Sequence, residues 1–172
     1  IRQALEHAKA CGFDGLELAF GAGVLTASTT QADCQRIRDD AQQLGIALTT
    51  LVSGNYWGCP LSSPDPVQRK AAMEFTRRYV EVANWLGIRT ILVIPGAVDV
   101  PWDPSIPVTP YQQVWDLATA SLRELLPFAA DHALMIASRA AVALEFLHGK
   151  KGDAGAALFH GLVAPKHLAV AF

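Results

Sequence analysis

Several features that mark nucleic-acid or membrane proteins are missing from these 172 residues. The formal net charge is only −2, so the chain lacks the basic footprint that binds nucleic acid or an anionic membrane surface. No apolar run approaches the roughly 20 residues that a membrane-spanning helix needs. The composition therefore predicts a protein whose partners include neither nucleic acid nor a lipid bilayer.

Cysteine is scarce, and its spacing is uninformative for metals or disulfides. The three cysteines, Cys11, Cys34 and Cys59, are odd in number and form no C-x-x-C pair. Such a pattern indicates reduced, buried thiols rather than a disulfide framework. We therefore expect a cytoplasmic location.

A dinucleotide-binding motif is present only in part. The run Gly21-Ala22-Gly23-Val24-Leu25-Thr26 has two of the three glycines of G-x-G-x-x-G, with Thr26 in place of the third. A Ser/Thr-rich stretch then delays the next helix, so no helix N-terminus is ready to receive a pyrophosphate. A dinucleotide-binding sheet is therefore the weaker of two α/β interpretations.

A repeated unit of helix, glycine and strand dominates the rest of the chain. Helices are predicted over 1–11, 31–44 and 66–86, each followed by Gly12, Gly45 or Gly87 and then by strands at 16–20, 46–52 and 91–94. The aliphatic run 91–94 has no polar alternation, which predicts a parallel strand covered on both faces. A fourth helix should run from Pro110 to Asp131 with Thr109 as its cap.

The tail after residue 132 is harder to interpret. Short strands are predicted at 134–137 and 168–172, and 141–147 fits either a strand or a helix. With 51% apolar residues, the chain can bury one sizeable core, so residues 1–172 are expected to form a single domain.

The loops favour a (β/α)₈ barrel over an open sheet. Loops 53–65 and 97–109 follow strands, are long and carry polar and aromatic residues, whereas the turns that enter strands are short. A barrel carries its chemistry on the loops after its strands and needs about 250 residues. The predicted fold is therefore α/β, a TIM-barrel-like (β/α)₈ fold that is incomplete.

The motifs resemble one known family, the sugar phosphate isomerase/epimerase group of xylose isomerase-like TIM barrels. The similarity is carried by Gly12-Phe13-Asp14-Gly15-Leu16-Glu17-Leu18, by Ser63-Pro64-Asp65 with Arg69, and by Leu86-Gly87 before a strand that ends in Pro95-Gly96. It covers about residues 1–132. It implies a partial barrel domain that lacks the first strand and the last strands, with the chain ending within or just before the sixth.

The resemblance also implies a chemistry. Family members isomerise or epimerise a ketose or ketose phosphate by metal-assisted proton transfer beside a carbonyl, with a divalent cation such as Mn²⁺, Co²⁺, Zn²⁺ or Mg²⁺. The run Ala141-Val142-Ala143-Leu144-Glu145 looks like the family's first metal carboxylate, which would make Glu145 a catalytic metal ligand. Counting from 126–129 instead places that ligand near Arg139, so a solvated helix over 137–147 remains the alternative for Glu145.

Later metal ligands of the family have no counterpart, so a second interpretation stays open. The chain could be a truncated, catalytically inactive barrel fragment that holds no metal and acts at most as a binding or oligomerising module. Open strand edges would then favour a homo-oligomer. An endonuclease relative fits less well, because the chain lacks a histidine-rich cluster and a basic surface.

Five further residues are candidates for a sugar site. Glu17 interrupts an apolar strand, where an unpaired carboxylate is costly, so it either handles a proton in the barrel mouth or pairs with a basic group on a neighbouring strand. Ser53, Asn55 and Trp57 follow a strand end and suit sugar hydroxyls and an aromatic wall, as does Trp102. An ordinary surface loop is the alternative for these four.

Overall fold

The computed structural model describes residues 1–138 and 168–171. The helices are α1 (Arg2–Ala10), α2 (Gln31–Leu44), α3 (Pro66–Trp85) and α4 (Tyr111–Asp131), and the strands are β1 (Gly15–Ala19), β2 (Ala47–Val52), β3 (Thr90–Val93), β4 (Met135–Ser138) and β5 (Leu168–Ala171). The predicted alternation of helices and strands is confirmed. None of the described helices is both long and apolar enough to cross a bilayer. The segment 141–147, with Glu145, and Arg139 lie outside the described residues.

The helix boundaries follow local capping chemistry. Thr30 and Asp33 form a capping box at the start of α2, in which each side chain accepts a hydrogen bond from the other residue's backbone N–H. Gly45 ends that helix with a φ of +69°, which a glycine adopts at little cost. The prediction that Thr109 caps the fourth helix is wrong. Pro110 is extended, with φ −55° and ψ 136°, so α4 begins at Tyr111 without a side-chain cap.

The strands form one parallel sheet with the order β4-β3-β2-β1-β5. From β1 to β4, strands that follow each other in the chain are also neighbours in the sheet, and consecutive helices contact each other. From β1 to β4 the order therefore runs in one direction across the sheet, as it does in a barrel, and β5 departs from it. The strand predicted at 168–172 is confirmed as β5, and it pairs with β1 at the end of the sheet away from β4.

The two faces of the sheet differ in burial. The side chains that pack against the helices, here called the outer face, are at most 2% exposed: Leu16, Leu18, Leu51, Ile91 and Val93. On the opposite, inner face Glu17, Thr50 and Leu92 are half-buried and Met135 is 66% exposed. The predicted cover for 91–94 therefore holds on the helix side, whereas Leu92 is partly open.

Tyr79 of α3 joins two strands that pair only briefly. Between β2 and β3 one residue pair is in register, Leu51 with Ile91. The buried Tyr79 hydroxyl lies between the backbone carbonyls of Leu51 and Leu92 and shares its one hydrogen between them. Burial raises the pKa of Tyr79, which keeps the hydroxyl protonated as a donor. The side chain thus holds the two strand ends together from the helix layer.

The three cysteines are free. Cys34 is buried in the core, and burial raises the pKa of its thiol, as predicted for a structural cysteine. Cys59 is half-buried and donates to the carbonyl of Gln68. The expectation of burial is wrong for Cys11, which lies exposed just after α1.

Candidate functional site

A cleft opens between the loops that follow β2 and β3. It has a volume of about 430 Å³ and is lined by residues of 56–68 and 97–109. Because all strands of a parallel sheet end at the same edge, both loops stand at the carboxyl ends of the strands. This is the edge at which α/β barrels carry their active sites.

A close contact joins the two loops that line the cleft. The backbone N–H of Ser62 donates to the carbonyl of Pro95 at 2.9 Å. A Cβ atom at Gly96 would lie 1.7 Å from Oγ of Ser62, so only glycine allows the loops to approach this closely. From the other side, Ser121 of α4 donates to the carbonyl of Leu61 at 2.8 Å. The loop after β2 is therefore anchored both to the neighbouring loop and to the helix layer.

Two of the predicted sugar-binding residues meet at this cleft. The rings of Trp57 and Trp102 pack edge to face, with centroids 4.8 Å apart and an interplanar angle of 80°. Trp57 lines the cleft, and Trp102 is 63% exposed beside it. Edge-to-face packing is a favoured arrangement of aromatic rings, and more than half of Trp102 remains exposed to solvent. The structure thus brings together two tryptophans from different loops.

The other two predicted sugar-binding residues have different surroundings. Ser53 is 1% exposed, and its Oγ accepts a hydrogen bond from the backbone N–H of Asn55 at 3.2 Å, where a short 3₁₀ turn (Asn55–Trp57) begins. Asn55 is exposed. Neither residue lines the cleft. Ser53 therefore has a structural task in holding the turn that presents Trp57, and direct contact of either residue with a sugar remains a prediction.

A polar wall of the cleft was not predicted residue by residue. Ser63 donates from its hydroxyl to the side-chain carbonyl of Gln68, and Asp65 caps α3 by accepting from the backbone N–H of Val67 at 2.9 Å. Arg69 donates to the carbonyl of Ser63. The motif Ser63-Pro64-Asp65 was the available signal, because Ser and Asp just before a proline-initiated helix are typical capping residues.

The electrostatics of the cleft favour a neutral ligand over an anion. The described residues that line it include two carboxylates, Asp65 and Asp99, and no Lys, Arg or His. Burial raises the pKa of Tyr56, whose hydroxyl pairs with that of Thr76 at 2.9 Å, so this phenol is neutral. Hydroxyl, amide and carboxylate groups beside aromatic rings suit a polyol.

Glu17, the candidate proton-handling residue, lies on the inner face of the sheet and not in the cleft lining. Its carboxylate accepts a hydrogen bond from the hydroxyl of Thr50. A bulge in β2 creates this contact, because the register of β1 and β2 shifts between Leu16 and Leu18. Among the described residues its partner is this hydroxyl, and none of them pairs a basic group with Glu17.

A metal centre does not assemble from the described residues. Within 1–138 and 168–171 no three His, Cys, Asp or Glu side chains lie together as a cation would require. The predicted ligand Glu145 lies outside these ranges, so its role stays a prediction. The described residues therefore supply no set of ligands that fits the divalent cation that the resemblance implies.

The fold and the cleft together define a class: part of a parallel α/β barrel with a polar and aromatic cleft at the carboxyl ends of its strands. A family model described as xylose isomerase-like TIM barrel matches residues 5–158. The chain belongs to this family. The predicted barrel and the family resemblance are both confirmed.

Solved structures of this fold include sugar epimerases. A D-psicose 3-epimerase from Clostridium cellulolyticum H10 with D-tagatose is 24% identical, with a TM-score of 0.64 over 78% of this chain and 45% of that one. The 3-keto-D-glucoside 4-epimerase of E. coli is 17% identical, with a TM-score of 0.60 over 80% of this chain and 49% of that one. A xylose isomerase domain protein from Planctomyces limnophilus is 17% identical, with a TM-score of 0.57 over 96% of this chain and 56% of that one. The chain spans about half the length of these structures, and none of the curated proteins matches it.

Proposed function

We propose that this protein takes part in the isomerisation or epimerisation of a ketose, and that the described residues hold the sugar. One observation carries the proposal: the cleft with Trp57 beside Trp102 lies at the carboxyl edge of a parallel sheet in a xylose isomerase-like barrel. The same fold supports ketose epimerases such as the D-psicose 3-epimerase. Fold alone does not assign function, so the residues of the cleft have to support it.

The cleft supplies the two kinds of contact that a sugar needs. The tryptophan rings offer apolar faces for the C–H groups of the sugar, and the hydroxyl and carboxylate groups of the polar wall accept or donate hydrogen bonds to its hydroxyls. Because the described lining carries the carboxylates Asp65 and Asp99 and no basic side chain, an uncharged ketose should bind better than a ketose phosphate.

Proton transfer is the second part of the proposal. Epimerisation beside a carbonyl removes a weakly acidic C–H proton, which requires a positioned base. Glu17 is a carboxylate held in place by Thr50 on the inner face of the sheet, and we assign it to hold or move that proton. Because Glu17 lies outside the cleft lining, this assignment requires the sugar to extend from the cleft onto the inner face. In the family a divalent cation would polarise the carbonyl, and Glu145 is the ligand we expect for it. The described residues form no cation site.

Binding can be tested through the tryptophans. Titration with D-fructose should change the intrinsic fluorescence, and D-fructose 6-phosphate should bind several-fold more weakly. Trp102→Ala should lower the affinity by up to about tenfold, since an aromatic contact contributes roughly 0.5–1.5 kcal/mol. Trp85→Phe is the matched control, because Trp85 lies at the end of α3 against Arg78 and away from the cleft. Absence of ketose binding, or tighter binding of the phosphate, would contradict the proposal.

Turnover separates the enzyme from the inactive fragment. The chain is incubated with a ketose and Mn²⁺, Co²⁺, Zn²⁺ or Mg²⁺, and the epimer is measured; metal binding is followed by calorimetry for the unchanged chain and for Glu145→Ala. We expect Glu17→Gln to abolish turnover while sugar binding persists. Sugar binding without turnover under every metal would support the alternative, a binding module.

A further inference from the structure

Six polar side chains are buried among the described residues, and one of them has no hydrogen-bond partner there. Five use their hydroxyls to hold a turn, a helix or another side chain: Thr29, Ser53, Ser63, Thr76 and Ser121. Ser62 is 3% exposed, and its backbone N–H donates to Pro95, but no described residue forms a hydrogen bond with its hydroxyl. A buried hydroxyl without a partner destabilises the folded state, so the Ser62 hydroxyl has no structural task among these residues.

The Ser62 hydroxyl faces the cleft. Among the described residues, every side-chain oxygen or nitrogen that is closed to solvent has a hydrogen-bond partner. The unpaired oxygen of Ser62 is therefore open to solvent, and the open space that Ser62 lines is the cleft. Gly96 allows this position, because a Cβ atom there would lie 1.7 Å from Oγ of Ser62 and would take its place.

The backbone holds this hydroxyl in a fixed position. The N–H of Ser62 donates to the carbonyl of Pro95 at 2.9 Å, and the carbonyl of the preceding Leu61 accepts from Ser121 at 2.8 Å. A serine hydroxyl is placed by a single side-chain torsion, so little freedom is lost when a ligand pairs with it. The chain therefore presents a donor and acceptor to the cleft before any ligand arrives.

We infer that Ser62 is a specificity-determining residue, whose hydroxyl forms a hydrogen bond with one hydroxyl group of the bound sugar. This inference rests on the proposed function and names one contact of that site. A ligand without the matching hydroxyl would fill the cleft and leave Ser62 unpaired and shielded from water. Sites that pair a buried polar group with a substrate hydroxyl discriminate against the analogue that lacks it.

Fluorescence titration of Ser62→Ala tests the contact. The substitution keeps the Cβ atom and the N–H that bonds to Pro95. Affinity for D-fructose should fall about two- to tenfold, as expected for the loss of one neutral hydrogen bond. The monodeoxy derivatives of D-fructose locate the partner. One of them should bind the unchanged chain and Ser62→Ala equally, because the hydroxyl that pairs with Ser62 is already missing. An equal loss with every derivative would overturn a direct contact.

Thermal unfolding without sugar separates this role from a structural one. Ser121→Ala is the matched control, because it removes a buried hydroxyl that is paired, and it should lower the Tm by about 2–4 °C. Ser62→Ala should leave the Tm unchanged or raise it. A decrease equal to that of the control, or unchanged affinity for D-fructose, would overturn the inference and leave the proposed function standing. If the unchanged chain bound no ketose, the proposed function would be wrong, and this inference with it.

Discussion

The outer and inner faces of the same sheet differ in how completely their side chains are buried. On the outer face Leu51, Ile91 and Val93 are fully buried against the helices. On the inner face Glu17 and Thr50 form a half-buried polar pair, and Met135 is 66% exposed. In a complete barrel the inner face is packed by layers of side chains from all strands. The outer face is therefore fully packed by the helices of this chain. The inner face carries partly exposed side chains, at positions that a complete barrel would bury.

The two edges of the sheet show the same contrast. The edge of β1 is covered by β5, whereas β4 ends the order among the described strands. β4 reads Met-Ile-Ala-Ser and contains none of the charged or proline residues that usually protect an edge. Between these edges, the hydroxyl of Tyr79 holds β2 and β3 together from the helix layer.

The largest expected effect on stability is at Ile91, and its neighbour Leu92 in β3 provides the comparison. Ile91→Ala removes a fully buried outer-face side chain and should lower the free energy of unfolding by about 2–5 kcal/mol, through lost burial and the cavity left behind. Leu92→Ala, at a half-buried inner-face position, should cost clearly less. Urea denaturation of both variants measures the difference. Equal costs would mean that the inner face is as well covered in solution as the outer one.

A smaller effect is expected where the helix layer holds the strand ends. Tyr79→Phe removes the hydroxyl shared by the carbonyls of Leu51 and Leu92, and a buried hydrogen bond of this kind contributes about 0.5–1.5 kcal/mol. Hydrogen exchange should increase at the end of β2, because that strand has one residue pair in register with β3. Tyr56→Phe is the control, since its hydroxyl contacts the side chain of Thr76 and no strand. The same exchange pattern in both variants would contradict a bridging role for Tyr79.

Local patterns predicted the elements well, because their causes are local. The capping box at Thr30, the glycine that ends α2 and the aliphatic run of β3 all act within a few residues. The partner of the last strand was beyond such patterns. A short apolar segment fits any free edge, and the edge that it takes depends on which edges the rest of the fold leaves open.

The candidate site was predictable to a similar extent. Aromatic and polar residues after strand ends indicated a binding edge. Trp57 lines the cleft, and Trp102 packs against Trp57 beside it. Their contact joins two loops far apart in the chain, so periodicity could not reveal it. The buried position of Ser53 was also hidden, because a serine that caps a turn and a serine that binds a ligand look identical in sequence.

The smallest expected effect on stability tests the uncovered side directly. Met135→Lys places a charge on the exposed inner-face residue of β4, so the free energy of unfolding should change by no more than about 0.5 kcal/mol. If copies of the chain associate through this edge, as we predicted from the incomplete barrel, the charge should shift the protein towards the monomer in sedimentation velocity.

The control introduces the same lysine at an exposed position in the helix layer. Leu126→Lys places the same charge on an exposed residue of α4, and it should leave both stability and association unchanged. A loss of association in both variants would point to a general effect of charge on solubility. A large loss of stability in Met135→Lys alone would show that the inner face of β4 is covered within the monomer, and the comparison of the two faces would then have to be abandoned at this strand.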